Sequence, residues 1–293
     1  MRIGFVGAGK VATAFGRFLH AHGLTIGGYY DRHESKRSRA CRLTQGQACQ
    51  SAVEVAQVSD MVLITTRDDQ IEGVCRELVA QGAIGRDHFV GHMSGAHASL
   101  ILEEAARQGA AIFSLHPLQA FAQEEKSLAD LPHTYFSIEG TDQRLTAVEE
   151  ILATTGNRYF RILPENKRLY HLSACIFSNY LVTLMACGLE ALSHSGIRPE
   201  EGFSAMLPLI QGSIDNIARM GPAKSLTGPI ARGDVTTVEA HLNAMAQQHL
   251  EPLRKLYTFM GLKTLDLAMV DVLHDPDKAA ALRKLLGFGH DLS

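Results

Sequence analysis

The stretch "FVGAGKVATAFGRFLHAHGLTIGGYYDR", Phe5 to Arg32, decides the fold of the amino-terminal half. The apolar run that begins at Ile3 is typical of a buried strand, and it breaks at Gly7-Ala8-Gly9. From Lys10 onward, apolar residues recur at helical spacing. A strand, a tight glycine turn and a helix place free amide groups and the positive helix end against a diphosphate.

The spacing of the small residues is G-x-G-x-x-A, in which alanine replaces the third glycine. This pattern is weak evidence alone, but the strand before it and the helix after it agree. The alternative is a glycine turn that binds nothing. We predict a dinucleotide site that contains Gly7, Ala8, Gly9, Lys10, Val11 and Ala12.

The second predicted strand, from Thr25 to Tyr30, ends at Asp31-Arg32. An acidic residue at this position binds the ribose 2′-hydroxyl of NAD. Arg32 and the basic residues after it instead suit the 2′-phosphate of NADP, unless they form only a solvated helix face. We favour NADP, with NAD as the alternative, because the Arg32 guanidinium at the strand tip can lie against both adenine and phosphate.

Strand and helix patterns then alternate, which predicts a Rossmann-type doubly wound parallel sheet followed by an all-α domain. Ligands of such sheets bind outside the carboxyl ends of the strands. The residues at those ends are predicted to bind the cofactor (Thr65, Thr66, Ser94) and the substrate (His116, Gln119), with a catalytic role for Ser94. Alternatively, Ser94-Gly95 is a plain turn and His116 is a loop histidine with satisfied hydrogen bonds.

The pattern changes near Leu163-Pro164, after which it is almost entirely helical. We therefore predict two domains, residues 1–163 for the cofactor and residues 164–293 for substrate binding and dimerisation. Residues 166–196 read as one long helix that ends at a glycine cap. That helix is apolar on most faces, so other helices or a second subunit should cover it, and a homodimer through the helical domain is expected. The loop "SLTGPIARGD", Ser225 to Asp234, is a connection or the wall of a site.

The long helix also carries the predicted catalytic residues. Lys167, His171, Ala174 and Ser178 are spaced 4, 3 and 4 residues apart and share one stripe of a regular helix. Reduction of a C=O group leaves charge on oxygen, which an ammonium and a neighbouring imidazole can stabilise and protonate. Lys167 and His171 are predicted as catalytic and Ser178 as substrate-binding; Asn179 would join them only if the helix is tilted or shared. The alternative is that Lys167 and His171 are surface residues of a first helical turn.

Bulk composition excludes several classes of partner. The chain has 293 residues, of which 46% are hydrophobic and 20% charged, with a net charge of -3. Neither nucleic acid nor a membrane surface is expected as a partner, and no apolar run was found that reaches the roughly 18 residues of a membrane helix. Five cysteines without CxxC spacing indicate reduced thiols and a cytoplasmic protein. The 14 histidines form no metal-ligand motif, so no metal is expected.

The sequence resembles the NADP-dependent reductases of the 6-phosphogluconate-dehydrogenase-like superfamily. It is more similar to a bacterial family that joins a Rossmann-like domain to its own helical domain of unknown function. The matching motifs are "GAGKVA", "YYDRHES", "HMSGAH", "SLHPLQAF", "KRLYHLSACIFSNYLVTL" and "LTGPIARGD". Some members resemble an alternative ketopantoate reductase, which implies reduction of ketopantoate with NADPH and places Lys167 and His171 near the carbonyl. Asp31 replaces the usual serine before the arginine, and His171 replaces the asparagine of common ketopantoate reductases, so their mechanism does not transfer unchanged.

The sequence therefore predicts an NADP(H)-dependent oxidoreductase that acts on a small 2-oxo acid or related carbonyl. One alternative is an imine reductase or a prephenate-type dehydrogenase, because "SLHPL" is similar to the His-Pro that follows a strand in the latter. The other is a redox sensor that binds NADP(H) without catalysis. The polar stripe on the long helix argues against a sensor.

Overall fold

The computed structural model describes residues 1–140 and 142–287. It divides the chain into two compact units, Met1–Asn179 and Tyr180–Ser293. This division lies beyond the predicted boundary after residue 163, because the first turns of the next helix bond to strands of the first unit. The roles assigned to the two predicted domains stay predictions.

The first unit is built on an eight-stranded sheet, mostly parallel, in the order β3-β2-β1-β4-β5-β6-β7-β8. The predicted Rossmann-type fold is confirmed, including the reversal of strand order between β1 and β4 that marks a ligand crevice. The strands are β1 Arg2–Val6, β2 Thr25–Tyr30, β3 Gln47–Ala48, β4 Met61–Ile64, β5 Phe89–His92, β6 Ala111–Pro117, β7 Phe136–Glu139 and β8 Tyr159–Ile162.

Two features of the sheet differ from the prediction. Strand β7 pairs antiparallel with β6, because the segment between them stays at the carboxyl edge of the sheet instead of crossing it. Strand β3 was not predicted, since its two residues are too short to show any periodicity.

The α-helices among the described residues of the first unit are α1 Lys10–Ala21, α2 Glu34–Thr44, α3 Ala52–Gln57, α4 Ile71–Ala80, α5 Glu103–Arg107, α6 Glu124–Asp130, α7 Thr146–Thr154 and α8 Lys167–Cys175. Successive strand residues pack into different cores because side chains alternate between the faces of a sheet. Phe5 belongs to the core with Phe15 and Phe113, whereas Val6 belongs to the core with Val90.

The second unit is helical in its described part. Its helices are α9 Leu181–His194, α10 Pro199–Met220, α11 Pro229–Arg232, α12 Val235–Gln247, α13 Glu251–Asp271 and α14 Pro276–Gly287. These helices agree with the prediction that the chain is almost entirely helical after Leu163-Pro164. The Asp275 carboxylate accepts the amides of Asp277 and Lys278, which caps the amino terminus of α14.

The prediction of one regular helix from Asn166 to Gly196 is wrong in its middle. A π turn, Ile176–Tyr180, lies between α8 and α9. Hydrogen bonding from i to i+5 advances the register by one residue, so the helical column through Ala174 continues at Asn179 and not at Ser178. The predicted glycine end is confirmed, since Gly196 has φ +83° and its amide bonds to the Ser193 carbonyl.

The same helical stretch, Pro164–His194, is long and apolar enough to cross a membrane by length and composition alone, with a mean hydropathy of 1.6. The sequence-based statement that no such run exists is therefore wrong. A single helix of this kind is weak evidence for a membrane span, because apolar helices that pack against protein pass the same test.

Candidate functional site

The glycine turn lies at the switch point of the sheet. Gly7 has φ +110°, and a Cβ atom at this residue would lie 2.8 Å from the Thr65 carbonyl carbon and oxygen. The Thr65 hydroxyl donates to the Gly7 carbonyl at 2.9 Å. The ends of β1 and β4 are thus in direct contact, and only glycine fits at position 7.

The amino terminus of α1 is open to a ligand. Its cap residue, Gly9, offers no side chain, the first turn has no acidic residue, and a Cβ atom on Gly9 would meet nothing within 4 Å. The Lys10 ammonium is engaged elsewhere, donating to the Ala122 carbonyl at 2.6 Å, so Lys10 and Val11 offer the site their amides. Ala12 is fully buried, which lets α1 approach the strands closely. These features fit a diphosphate.

Two further predicted cofactor residues lie beside this turn. The Asp31 carboxylate accepts the Ala8 amide at 2.9 Å, while Arg32 is exposed. Within the described residues, the Thr66 hydroxyl is buried and has no hydrogen-bond partner. Such an atom at a strand end fits a site that a ligand completes.

Lys167 is the most unusual residue of the first unit. Its side chain comes from the first turn of α8, only 1% of the residue is exposed, and its Nζ donates to the Ser114 hydroxyl at 2.7 Å. Ser114 in turn donates to the Ser94 carbonyl at 3.3 Å. The ammonium therefore lies beside the end of β5 and the middle of β6, close to the strand ends where the sequence predicted a catalytic group.

Burial lowers the pKa of Lys167 to about 8, because the charged form loses its hydration, and the nearby Glu139 carboxylate offsets part of this effect. Ser114 is paired with His92 of β5 and with Glu139 of β7, so the three side chains form a buried polar row on one face of the sheet. Glu139 accepts hydrogen bonds from the Ser99 amide at 2.5 Å and the Ser99 hydroxyl at 2.8 Å. Lys167 thus remains near a negative charge without a direct ion pair.

Two predicted histidines meet beside Gly95. His116 Nδ1 lies 2.7 Å from the Tyr170 hydroxyl, and the His116 and His171 rings are 6.3 Å apart. A Cβ atom on Gly95 would lie 2.7 Å from His171 Nδ1 and 2.8 Å from His116 Nε2, so a side chain at this position would displace both imidazoles. Cys175 Sγ lies 3.6 Å from His171 Nε2. The structure thus brings Lys167, His116 and His171 into one cluster at the strand ends.

Ser94 belongs to the same cluster, but its hydroxyl is already engaged. It donates to Asp68 at 2.9 Å and accepts the amides of Ala96 and His97. These bonds fix the loop after β5. Its predicted catalytic and cofactor-binding roles stay predictions.

The other predicted substrate residues are Gln119, Ser178 and Asn179. Gln119 donates to the Ser127 carbonyl and accepts from the Thr134 hydroxyl, which ties it to neighbouring loops. Ser178 and Asn179 are exposed on the π turn. The substrate-binding roles of Gln119, Ser178 and Asn179 stay predictions.

Sequence reasoning missed four residues of the cluster: His92, Ser114, Glu139 and Tyr170. A polar residue inside an otherwise apolar strand run was an available signal for Ser114 and His92, since buried polar groups require partners. Tyr170 lies one turn of α8 from Lys167, and its ring is 5.3 Å from the Lys167 ammonium. Nothing in the sequence identified Glu139, whose partner is 40 residues away.

Neutral buried imidazoles predict acid lability. Burial lowers the pKa of His92 to about 3 and that of His116 to about 4, so both are neutral in the folded protein. In the unfolded chain they take up protons below about pH 6.5, so stability should fall by about 1.4 kcal/mol per pH unit per imidazole. We expect the urea concentration at the unfolding midpoint to decrease as the pH is lowered from about 6.5 to about 4. His116→Gln should make this dependence of the midpoint on pH shallower than in the wild type, whereas substitution of an exposed histidine, His133→Gln, should not. Equal slopes in the wild type and both variants would contradict the prediction.

Residues 1–140 and 142–287 contain no group of three or more His, Cys, Asp or Glu side chains placed to hold a metal ion.

An open helix end behind a glycine turn, at the switch point of a doubly wound sheet, defines a Rossmann-like domain of the dinucleotide-binding class. Residues 1–117 match the family model of the Rossmann-like domain, and residues 134–264 match a model described as "Domain of unknown function (DUF2520)". The chain thus belongs to the proteins that join these two domains, which confirms the family resemblance predicted from the motifs.

Solved structures with this fold cover nearly the whole chain. Protein TM1727 from Thermotoga maritima is 26% identical with a TM-score of 0.73, and the match covers 92% of this chain and 99% of that one. BF3122 from Bacteroides fragilis, described as a candidate NADP oxidoreductase, is 22% identical with a TM-score of 0.71, covering 90% and 98%. The reductive aminase of Aspergillus terreus, solved with NADPH and ethyl levulinate, is 14% identical with a TM-score of 0.61, covering 98% and 92%. A comparison with curated protein sequences gives no match.

Proposed function

We propose that the protein is an NADP(H)-dependent oxidoreductase that reduces a small carbonyl compound to an alcohol. The observation that carries the proposal is Lys167, a buried ammonium of near-neutral pKa at the strand ends of a Rossmann-like sheet. Perturbed acids of this kind concentrate at catalytic sites. The NADP(H) named for structural relatives supports the same cofactor here.

Each part of the site has a role in this reaction. Reduced nicotinamide, when bound, supplies the hydride. The free amides at the start of α1 would hold the cofactor diphosphate. The Lys167 ammonium would donate a hydrogen bond to the carbonyl oxygen and then the proton that completes the alcohol, and a pKa of about 8 makes it an efficient acid near neutral pH. His116 is neutral, so it would orient the substrate by hydrogen bonding without supplying the proton.

The charge of the cluster favours a carbonyl over an imine. An imine is reduced as its iminium cation, and a buried ammonium would repel a second positive charge in a poorly solvated site. A carbonyl oxygen instead gains negative charge during reduction, which the ammonium stabilises. A 2-oxo acid such as ketopantoate carries a further negative charge that the same ammonium attracts.

The test is a substrate panel followed by loss of nicotinamide absorbance with NADPH. The panel should contain ketopantoate, smaller 2-oxo acids, neutral ketones and a cyclic imine. We expect 2-oxo acids to be turned over faster than neutral ketones and imines. NADPH binding with no turnover of any compound would instead favour the redox sensor, and faster turnover of the imine would favour an imine reductase.

We further propose that a second copy of the chain covers the apolar faces of α9 and α10. Gly202 is the one buried residue among the described residues of these two helices, and many of their large apolar side chains are exposed. They are Leu181, Val182, Phe203, Met206, Leu207, Leu209, Ile214, Ile217 and Met220. Side chains of this kind and number present on the order of 800 Å², which is about what each partner buries in a standard interface.

A charge in this surface should prevent dimer formation. Leu209 is 68% exposed, and Leu209→Glu is expected to halve the molar mass measured by light scattering, because a buried carboxylate opposes association. Leu100, 67% exposed in the first unit, provides the control, and Leu100→Glu should leave the mass unchanged. A wild-type monomer would contradict the dimer, and a protein that requires detergent to stay dispersed would instead favour a membrane for the apolar helix.

All five cysteines are free, which supports the proposal of a cytoplasmic protein.

A further inference from the structure

Asp31 lies where an acidic residue commonly binds the ribose of a dinucleotide, but its carboxylate is turned to the protein. One oxygen accepts the Ala8 amide at 2.9 Å. The other accepts the His33 amide at 2.8 Å and lies 3.0 Å from His33 Nδ1. The side chain is 12% exposed, so both oxygens are held from within the chain.

The bond to Ala8 connects two segments that are far apart in sequence. Ala8 is the middle residue of the glycine turn, and its neighbour Gly7 donates its amide to the Tyr30 carbonyl at 2.7 Å. The end of β2 therefore holds the turn at two consecutive amides. The next amides, from Gly9 onward, begin α1, and the first amides of a helix have no partner within it, so they remain for the proposed diphosphate.

We propose that Asp31 is a positioning residue that fixes the glycine turn, and that Arg32, not Asp31, distinguishes nucleotides with and without a 2′-phosphate. The inference rests on the proposed binding of a nicotinamide dinucleotide. It resolves the conflict in the sequence, where Asp31 indicated NAD and Arg32 indicated NADP, because Asp31 no longer has to bind the ribose.

The charges around β2 agree with this division. Burial would raise the pKa of Asp31, but hydrogen bonds from the amides of His33 and Ala8 outweigh it and hold the pKa below its ordinary value. Asp31 is thus ionised and satisfied at neutral pH. Arg32 and Lys36 are exposed, and within residues 1–140 and 142–287 neither side chain donates a hydrogen bond or forms an ion pair at contact distance, although the Lys36 charge helps to lower the pKa of Asp31. Both exposed cations can face a phosphate dianion, and the Arg32 guanidinium can bind it through two parallel hydrogen bonds.

The experiment is fluorescence titration of the purified full-length protein with NADPH and with NADH. Asp31→Asn should weaken the binding of both nucleotides by a similar factor, about tenfold. The glycine turn loses a charged hydrogen-bond acceptor, and both nucleotides need the same turn. Arg32→Gln should weaken NADPH about tenfold or more and leave NADH within about twofold. The ratio of the two dissociation constants is the readout for Arg32, since general damage to the fold would not change it selectively. For Asp31 the readout is weaker binding of both nucleotides by a protein whose thermal unfolding without nucleotide shows that it is folded.

Asp31→Ser provides a second variant if asparagine disturbs the turn, and thermal unfolding without nucleotide shows whether each variant is folded. If either Asp31 variant loses NADH alone, or binds NADPH more tightly, Asp31 contacts the ribose and the inference is wrong. If the wild-type protein binds neither nucleotide, the proposed function itself fails, and the assignment of Asp31 fails with it.

Discussion

Methionine in place of Lys167 is expected to lower kcat by about 10²- to 10³-fold, the contribution of a positioned general acid. Methionine keeps most of the apolar stem and removes the ammonium, so the loss should appear in kcat more than in KM. The measurement is turnover of the best substrate of the panel at saturating NADPH. Lys126 is an exposed lysine of α6, and Lys126→Met is the matched control that should retain normal turnover.

The pH profile gives an independent test of the same role. An acid must be protonated to act, so wild-type turnover should fall as pH rises through the Lys167 pKa of about 8. The residual activity of Lys167→Met should lack this decline. A wild-type rate that stays constant well above this pKa would remove Lys167 as the proton donor.

The same substitution should make the protein more stable. Burial lowers the pKa of Lys167 from 10.5 to about 8, so the folded state holds the charge at a cost of about 3 kcal/mol at neutral pH. Between these two pKa values the unfolded chain binds more protons, so wild-type stability should rise with pH over that window. Lys167→Met should melt at a higher temperature than the wild type at neutral pH, and the difference should shrink as pH rises. A lower melting temperature would show that Ser114 and Glu139 stabilise the ammonium more than burial opposes it.

Local sequence patterns predicted the parts of the molecule that local physics determines. The glycine turn after β1 has a fixed spacing because a diphosphate, a tight turn and a close helix each require a small residue. The strand ends at Thr65, Ser94 and His116 followed from runs of apolar residues that end at polar ones. The stripe of Lys167 and His171 followed from helical spacing.

Pairing across the sheet could not be predicted in this way. Ser114 is a site residue only because β6 brings it between His92 and Glu139, and the antiparallel pairing of β6 with β7 sets the position of Glu139. The π turn had no recognised signal either, and it moved Ser178 off the predicted stripe. The Asp31 side chain has several acceptor directions, so its choice of the Ala8 amide depends on the packed turn and not on the motif.

The largest effect on cofactor binding is expected from Gly9→Val. A Cβ atom on Gly9 meets no protein atom within 4 Å, so the folded protein has room for the new side chain. The loss of stability should stay within about 1 kcal/mol, the difference between glycine and valine at a helix cap. The same space is where the cofactor diphosphate must approach the amides of α1, and the second glycine of the motif exists for that approach. We expect the affinity for NADPH to fall by about 100-fold or more, or about 3 kcal/mol.

Gly7→Val is the matched variant that separates binding from folding. Position 7 has φ +110°, and its Cβ atom would lie 2.8 Å from the Thr65 backbone, so valine there should unfold the protein at a markedly lower temperature. Thermal unfolding and NADPH titration of both variants should give opposite patterns: Gly9→Val folds and does not bind, whereas Gly7→Val loses stability first. Normal NADPH binding by Gly9→Val would mean that the diphosphate does not lie at the start of α1, because a valine side chain and a phosphate cannot occupy the same space.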